Sequence, residues 1–415
     1  MSTILTENGV RKMDEGDPLA TYRDQFYLPK DVVYLDGNSL GAAPKAAFDE
    51  LETAAKTEWA DQLIRSWRGA DWWVLGEKLG NQLAELIGAG PDQVTVCDTT
   101  SINIYKALHA ALSLRPDRSV ILTEAEGFPT DSYIAEGVQS VRDRTELRLE
   151  DLDEDTIEDY LDETVAVVLI NHIDYRSASV RNMKAITEKI HAAGAIAVWD
   201  LCHSAGIYPV DLEAANADFA AGCTYKYLNG GPGSPAFIYA AKRHHGSFSQ
   251  PLSGWWGHVE PFAFEPNYTG DTGIRRLLCG TQPILSMRAL KASLDMYDTV
   301  DMAAVRKKSQ SLTSLFIDLV DQECDGLGVT VISPRDADAR GSQVSLAHGN
   351  GAAIVHALTE RGVIGGFREP NVMRFGFAPL YLTHHDVWLS VAHLKEVLET
   401  EAWREDRFNA AGKIS

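Results

Sequence analysis

The sequence predicts an α/β protein built on a mainly parallel sheet. Three observations carry that expectation. Short apolar runs such as Val165-Ala166-Val167-Val168-Leu169-Ile170 are unbroken rather than alternating, which fits strands covered on both faces. Segments of helical pattern separate these runs in a repeated order. Two of the runs close on single charged side chains, Asp200 and Lys226, and the carboxyl ends of parallel strands are where such sheets gather functional groups.

With 415 residues, 45% of them hydrophobic, the chain can bury a large core and form more than one domain. Its net charge of −21, with no basic stripe, argues against nucleic acid as a partner. The five cysteines are widely spaced and form neither a metal-ligand pattern nor a disulfide framework, so no metal is expected. The stretch from Met1 to Asp17 is polar, without the apolar centre of a signal peptide. No run reaches the roughly 18 apolar residues of a membrane span. The expectation is a cytoplasmic protein with no membrane partner.

Residues 1–30 are polar and helix-like up to the break at Tyr27-Leu28-Pro29. Val32–Leu35 reads as a short strand. The turn-rich Asp36-Gly37-Asn38-Ser39-Leu40-Gly41 follows, either a plain turn or a loop facing a substrate. Residues 44–66 have a helical pattern. Trp67, Trp72 and Trp73 come next, as core or as the lining of a pocket for an aromatic ligand, and helix resumes from Val74 to Ile87. Gln93–Cys97 is a strand. Asp98-Thr99-Thr100-Ser101 then opens a helix over Ile102–Leu112. Its hydroxyls either face a phosphate beside the positive helix end or simply cap the helix.

Val120–Thr123 is the next strand and leads to Gly127-Phe128-Pro129-Thr130-Asp131. Phe128 either stacks on a flat ring or staples a helix capped by Thr130. The strand Thr164–Ile170 ends at Asn171-His172, with His172 read as a loop histidine. A helix from Ala185 to Ala193 stops at Gly194. Residues 195–199 deliver Asp200, with His203 one helical turn further on. Asp218–Thr224 delivers Tyr225-Lys226, Gly230-Gly231-Pro232-Gly233 follows, and Pro235–Ala240 is a returning strand.

Gly254-Trp255-Trp256-Gly257-His258 belongs to a loop, as an interface plug or as a lid. One long helix is expected over 284–321. Strands at Val329–Ile332, Gln343–Ala347 and Val372–Phe377, with helices at Gly351–Arg361 and His384–Glu401, make a smaller α+β unit. Arg374 is the one charge in the alternating strand Met373–Phe377. It needs a partner, either an internal acid or the carboxylate of a ligand.

Taken singly, Asp200 reads as a helix cap and Lys226 as a solvated loop lysine. Together on neighbouring strand ends, with Tyr225 beside the lysine and glycines behind it, they fit pyridoxal phosphate (PLP). The lysine bonds the aldehyde, and the aspartate pairs with the pyridine nitrogen.

Six segments, Leu35–Gly41, Phe128–Asp131, Asp200–Gly206, Tyr225–Asn229, Gly254–His258 and Arg374, together resemble the kynureninase family, in the class V aminotransferase group of PLP fold type I. The resemblance runs nearly end to end. It implies a seven-stranded, mainly parallel PLP-binding domain over 61–285, a small α+β domain over 286–415 and an N-terminal arm over 1–60. It implies PLP on Lys226, Asp200 at the ring nitrogen, Phe128 on the ring, and Asp131, Asn171 and His203 nearby. Thr100, Ser101, Tyr225 and, from a neighbouring subunit, Trp255 and Thr281 would hold the phosphate region. Arg374 and Ser39 would hold the substrate. It further implies a homodimer with shared sites that hydrolyses L-kynurenine to anthranilate and L-alanine, with Lys226, Asp200 and Tyr225 catalytic, in tryptophan catabolism and NAD biosynthesis. The 3-hydroxy substrate is an open alternative that turns on the pocket near Trp67, Thr281 and His258.

Two rival readings follow from the same residues. A cysteine desulfurase or selenocysteine lyase needs a mobile thiolate, and Cys324, set among Asp321, Glu323 and Asp325, is a poor one. A non-catalytic PLP-binding regulator would need a DNA-binding appendage that the sequence does not show.

Overall fold

The computed structural model describes residues 4–409. Residues 1–3 and 410–415, which the sequence reading assigns to the arm and the small domain, lie outside the described residues. Seven strands form the main sheet: β1 (Val94–Val96), β2 (Val120–Glu124), β3 (Glu146–Glu150), β4 (Val165–Asn171), β5 (Ile196–Asp200), β6 (Phe219–Gly222) and β7 (Phe237–Ala240). Their order across the sheet is β1-β7-β6-β5-β4-β2-β3. Strands β2 to β6 pair in parallel, and only β7 runs against its neighbours β1 and β6.

The apolar runs are unbroken because the sheet is covered on both faces. Along β4, Val168 and Ile170 join one apolar cluster with Trp199 and Tyr239, while Val167 and Leu169 join another with Ile104 and Leu108 of the helix Thr100–Leu114. Each fully buried Val, Leu or Ile contributes about 1.5–3 kcal/mol. The edge strand β3, Glu-Leu-Arg-Leu-Glu, was not foreseen. Half-exposed and charged at alternate positions, it lacks the apolar run that marks the central strands.

A second sheet has four antiparallel strands in the order Thr330–Val331, Gln343–Ala347, Val372–Gly376, Gly366–Arg368. Beside it the arm strand Val33–Tyr34 pairs in parallel with Val363–Ile364 as a separate two-stranded sheet, and Asp36 bridges to Gly376 of the four-stranded one. The single helix expected over 284–321 is two helices, Ile284–Tyr297 and Met302–Glu323. The Asp301 side chain accepts from Ala303 N–H (2.9 Å) and caps the second, so the break needs neither Gly nor Pro. The Tyr297 hydroxyl donates to the carbonyls of Gly206 and Tyr227 and ties the first helix to the main sheet. No described helix is long and apolar enough to cross a membrane.

At the opposite end of the sheet from the strand carboxyl ends, Asp218 enters β6. Its carboxylate accepts from Ala197 N–H (2.8 Å) and Arg243 (2.7 Å), and contacts His191 Nε2 (2.7 Å) and His244 Nε2 (2.6 Å). Burial pushes this carboxyl up, but the hydrogen bonds from His191, His244 and Ala197 outweigh it and hold it well below the usual range. A carboxyl depressed in the folded state adds stability above its unfolded pKa of ~3.9, and that stability fades as pH falls toward the folded value. Asp218→Asn should therefore cost about 3 kcal/mol at neutral pH and progressively less below about pH 4. Urea unfolding of both proteins across that range checks this. An equal cost at both ends of it contradicts an ionic role.

Candidate active site

The register of the main sheet builds the site. Asn171 lies opposite Asp200, and Asp200 opposite Ala221, so the ends of β4, β5 and β6 stand side by side. Beyond β6 the chain turns through Cys223-Thr224-Tyr225-Lys226. Asn229 N–H donates to Lys226 O, Gly230 N–H to Thr224 O, and the Thr224 hydroxyl to Pro235 O. The N-terminal arm docks on this turn through Gly41, whose N–H donates to Tyr225 O (2.8 Å). A Cβ on Gly41 would fall 2.2 Å from Lys226 O, so only glycine allows that approach.

Lys106 and Lys308 are buried and Lys226 is half-buried, and their surroundings separate them. Lys106 is fully buried and paired with Asp98, and Lys308 is paired with Asp17 at 2.6 Å. Lys226 has no carboxylate within ion-pair distance among the described residues. Its Nζ donates to His203 Nε2 at 2.9 Å and lies 5.8 Å from the centre of the Phe128 ring. Burial, then Lys226 and the arginines Arg374 and Arg368, holds His203 well below the ordinary imidazole range, so its ring is neutral and accepts.

Opposite the lysine, Asp200 and Asp131 are both buried. Asp200 accepts from Cys202 N–H (2.6 Å), and Asp131 from the Asn171 amide (2.8 Å). Burial first, and the Asp200 charge second, push the Asp131 carboxyl well above its usual range. Two adjacent buried carboxyls with no cation at ion-pair distance among the described residues call for a proton or a cationic group between them. Asn171 thus positions Asp131. Its own N–H donates to Glu124, the last residue of β2, whose carboxyl is ion-paired with Arg181 and pushed by burial up to about 7. Glu124 escaped the sequence reading, although it closes an apolar run on a carboxylate just as Asp200 does.

The helix Thr100–Leu114 begins beside these strand ends. Thr99 caps it by accepting from Ile102 N–H, and the Thr100 hydroxyl lies 3.7 Å from Cys202 Sγ. Thr100 and Ser101 occupy its first turn, where backbone N–H groups favour an anion. The neighbouring Tyr225 phenol is pushed up by burial, then by Cys223, Cys202 and Asp200, and stays a donor. Phe128 caps the helix Pro129–Val141, so Thr130 lies inside that helix rather than at its start. The Phe128 ring meets Tyr175 edge-on at 5.3 Å. His172 packs edge-on against Trp199 and Tyr208, and burial pushes it down to about 3.

Arg374, 2% exposed, donates to Tyr175 O (2.8 Å) and Ser39 Oγ (3.0 Å), and no carboxylate reaches ion-pair distance among the described residues. Of the two readings of this residue, the internal ion pair is absent there. Asp36 and Arg368 also face this corner and were not singled out individually in the sequence. Trp255 and Thr281 lie elsewhere on the single chain. Trp255 packs against Trp73, Trp256 and Phe262 beside a groove of about 890 Å³, and Thr281 lines a second groove with Trp59, Trp67 and Trp72.

A family model described as "Kynureninase C-terminal domain" matches residues 305–394. The chain is 50% identical to a kynureninase of Burkholderia mallei over 99% of this chain and the whole of that one, and 48% identical to a kynureninase of Pseudomonas fluorescens over the same shares. Among solved structures, the cysteine desulfurase CsdA of Escherichia coli has a TM-score of 0.75 at 18% identity, covering 96% of this chain and all of that one. The cystine C-S lyase C-DES, solved with cysteine persulfide, has a TM-score of 0.77 at 17% identity, covering 88% of this chain and 98% of that one. At such identities these two share the fold, PLP fold type I, and nothing further is drawn from them.

Proposed function

The chain belongs to the kynureninase family, and we propose that its strand-end cleft holds PLP on Lys226 and hydrolyses L-kynurenine to anthranilate and L-alanine. The observation that carries the site assignment is the pairing of one lysine without a counter-ion with two buried carboxyls short of a cation. A pyridinium nitrogen satisfies the carboxyls, an aldehyde takes the lysine, and a phosphate suits the first turn of Thr100–Leu114 with Tyr225 as donor. The donor set therefore fits the cofactor.

Bound there, PLP supplies an electron sink for charge developed at the substrate α-carbon. The protein does the rest. Asp200, backed by Asp131 and Asn171, keeps the ring nitrogen protonated. Phe128 and neutral His203 enclose the ring. Arg374 and Ser39 hold the substrate α-carboxylate, which fixes the α-hydrogen toward Lys226. With the substrate amine in its place at the cofactor, Lys226 Nζ would be free to take that proton as general base. Water adding at the γ-carbonyl lets the Cβ–Cγ bond break with its electron pair left on Cβ, and Tyr225, which precedes Lys226 in the turn, would donate the proton that Cβ takes up.

The desulfurase alternative is a likeness of fold only. Cys324 is buried, and burial and then Glu323 push its thiol up to about 12, the opposite of an acceptor thiolate. We divide the chain as arm 1–60, PLP domain 61–285 and small domain 286–415. The pairing of the arm strand with Val363–Ile364 supports grouping the arm with the small domain. A homodimer is supported by the exposed apolar face that includes Trp59, Ile64, Trp255, Phe262 and Phe264. Sedimentation showing one chain per particle at assay concentration would contradict it. All five cysteines are unpaired, which fits the reducing cytoplasm, where the enzyme would serve tryptophan catabolism and NAD biosynthesis. The test of the reaction is direct: purified protein with PLP and L-kynurenine should generate anthranilate fluorescence. Comparing kcat/KM for L-kynurenine and its 3-hydroxy form assigns the preferred substrate. No product from either compound would reject the reading.

A further inference from the structure

The small sheet carries a second guanidinium on the face that bears Arg374. Its register sets Gly366 opposite Arg374 and Arg368 opposite Val372. Residues directly opposed, and residues two apart along one strand, share a face. Arg368 and Arg374 are therefore diagonal neighbours, roughly 7–8 Å apart at the backbone. From this face Arg374 reaches Tyr175 O and Ser39 Oγ.

Such a pair is costly unless it meets an anion. Burial lowers Arg374 to about 10, with Arg368 the next cause, and burial lowers Arg368 as well. One acid faces both. Asp36 is buried, its Oδ1 has no hydrogen-bond partner, and its carboxyl is pushed up by burial against the pull of Ser39, Arg374 and Arg368. Two guanidiniums and one carboxylate leave a surplus positive charge facing the cleft. Among the described residues nothing cancels it: the one side-chain hydrogen bond of Arg368 runs from Nη1 to its own neighbour, Phe367 O (2.7 Å). Arg374 is sealed in, whereas Arg368 is half-buried. On a chain of net charge −21, a half-buried cation without a carboxylate at ion-pair distance among the described residues draws a carboxylate-bearing ligand.

We propose that Arg368 is a second substrate-binding arginine, which meets the α-carboxylate of the incoming amino acid and holds it jointly with Arg374 and Ser39. Asp36, beyond ion-pair distance of either, is the acid whose charge acts on both. The inference rests on the reading of Arg374 as the carboxylate anchor, and the experiment separates the two. Arg368→Gln and Arg374→Gln are prepared as holoenzymes. L-Alanine, the amino-acid product, is titrated against each while the visible band of the cofactor is followed, and kcat and KM for L-kynurenine are measured.

Loss of one charge-assisted contact should weaken L-alanine binding roughly tenfold in Arg368→Gln and raise KM by about the same factor, with kcat within about twofold. Arg368→Met keeps the buried stem without the charge and is read the same way should the glutamine variant not fold. Unchanged L-alanine binding in the Arg368 variant, beside lost binding in Arg374→Gln, overturns the inference and leaves the Arg374 reading standing. Unchanged binding in both overturns both. A fall in kcat with binding intact makes Arg368 structural and also overturns the inference.

Discussion

Lys226→Ala is expected to abolish turnover, by roughly 10⁴-fold or more, and to remove the visible band of the lysine-bound cofactor. The size of the effect follows from the two roles assigned to one amine, which holds the cofactor and then takes the α-proton. No neighbour can replace it. Lys106 and Lys308 are locked to Asp98 and Asp17, and the nearest polar ring, His203, is held neutral by burial. The fold should survive, because the turn around Lys226 is stitched by backbone hydrogen bonds from Asn229 and Gly230 rather than by the amine. Steady-state assays and absorbance spectra of the variant check this. Normal turnover in Lys226→Ala would remove the lysine from the mechanism.

Asp200→Asn is expected to lower kcat by roughly 10²–10³-fold, the range for removing one preorganised electrostatic contact, with a smaller effect on KM. A neutral amide cannot keep a pyridine nitrogen protonated. The same change should also relieve Asp131. Its carboxyl is raised partly by the Asp200 charge, so in the variant it should ionise at lower pH. Kinetics combined with a carboxyl-resolved titration test both effects. A variant with wild-type kcat, or with Asp131 titrating as before, contradicts the assignment of the pair.

The main sheet and the place of Asp200 at the end of β5 were legible in the sequence because each rests on a local pattern, whereas Lys226, expected at a strand end, lies in the turn beyond Gly222, the last residue of β6. An unbroken apolar run signals a buried strand, and a charge closing such a run signals a strand end. What was missed depends on partners distant in sequence. The strand Glu146–Glu150 is recognisable only beside β2, since its own pattern is that of a charged edge. The break before Met302 arises from an aspartate cap inside a segment of continuous helical pattern. Asp36 belongs to a loop that reads equally as a plain turn or as one facing a substrate, and only the bridge to Gly376 brings it toward the two arginines. Arg368 was hidden because its strand is three residues long, too short to show alternation, and only the register with Val372–Gly376 places it beside Arg374. The phosphate-region roles that the resemblance implies for Trp255 and Thr281 would need a second chain, which no local pattern can supply.

One measurement bears most directly on the whole account. Borohydride reduction of the PLP-loaded protein, followed by proteolysis and mass mapping, should place the pyridoxyl group on the peptide carrying Lys226 and on no other. Pyridoxyl label on Lys106 or Lys308 instead, or a protein that takes up no PLP, would contradict it.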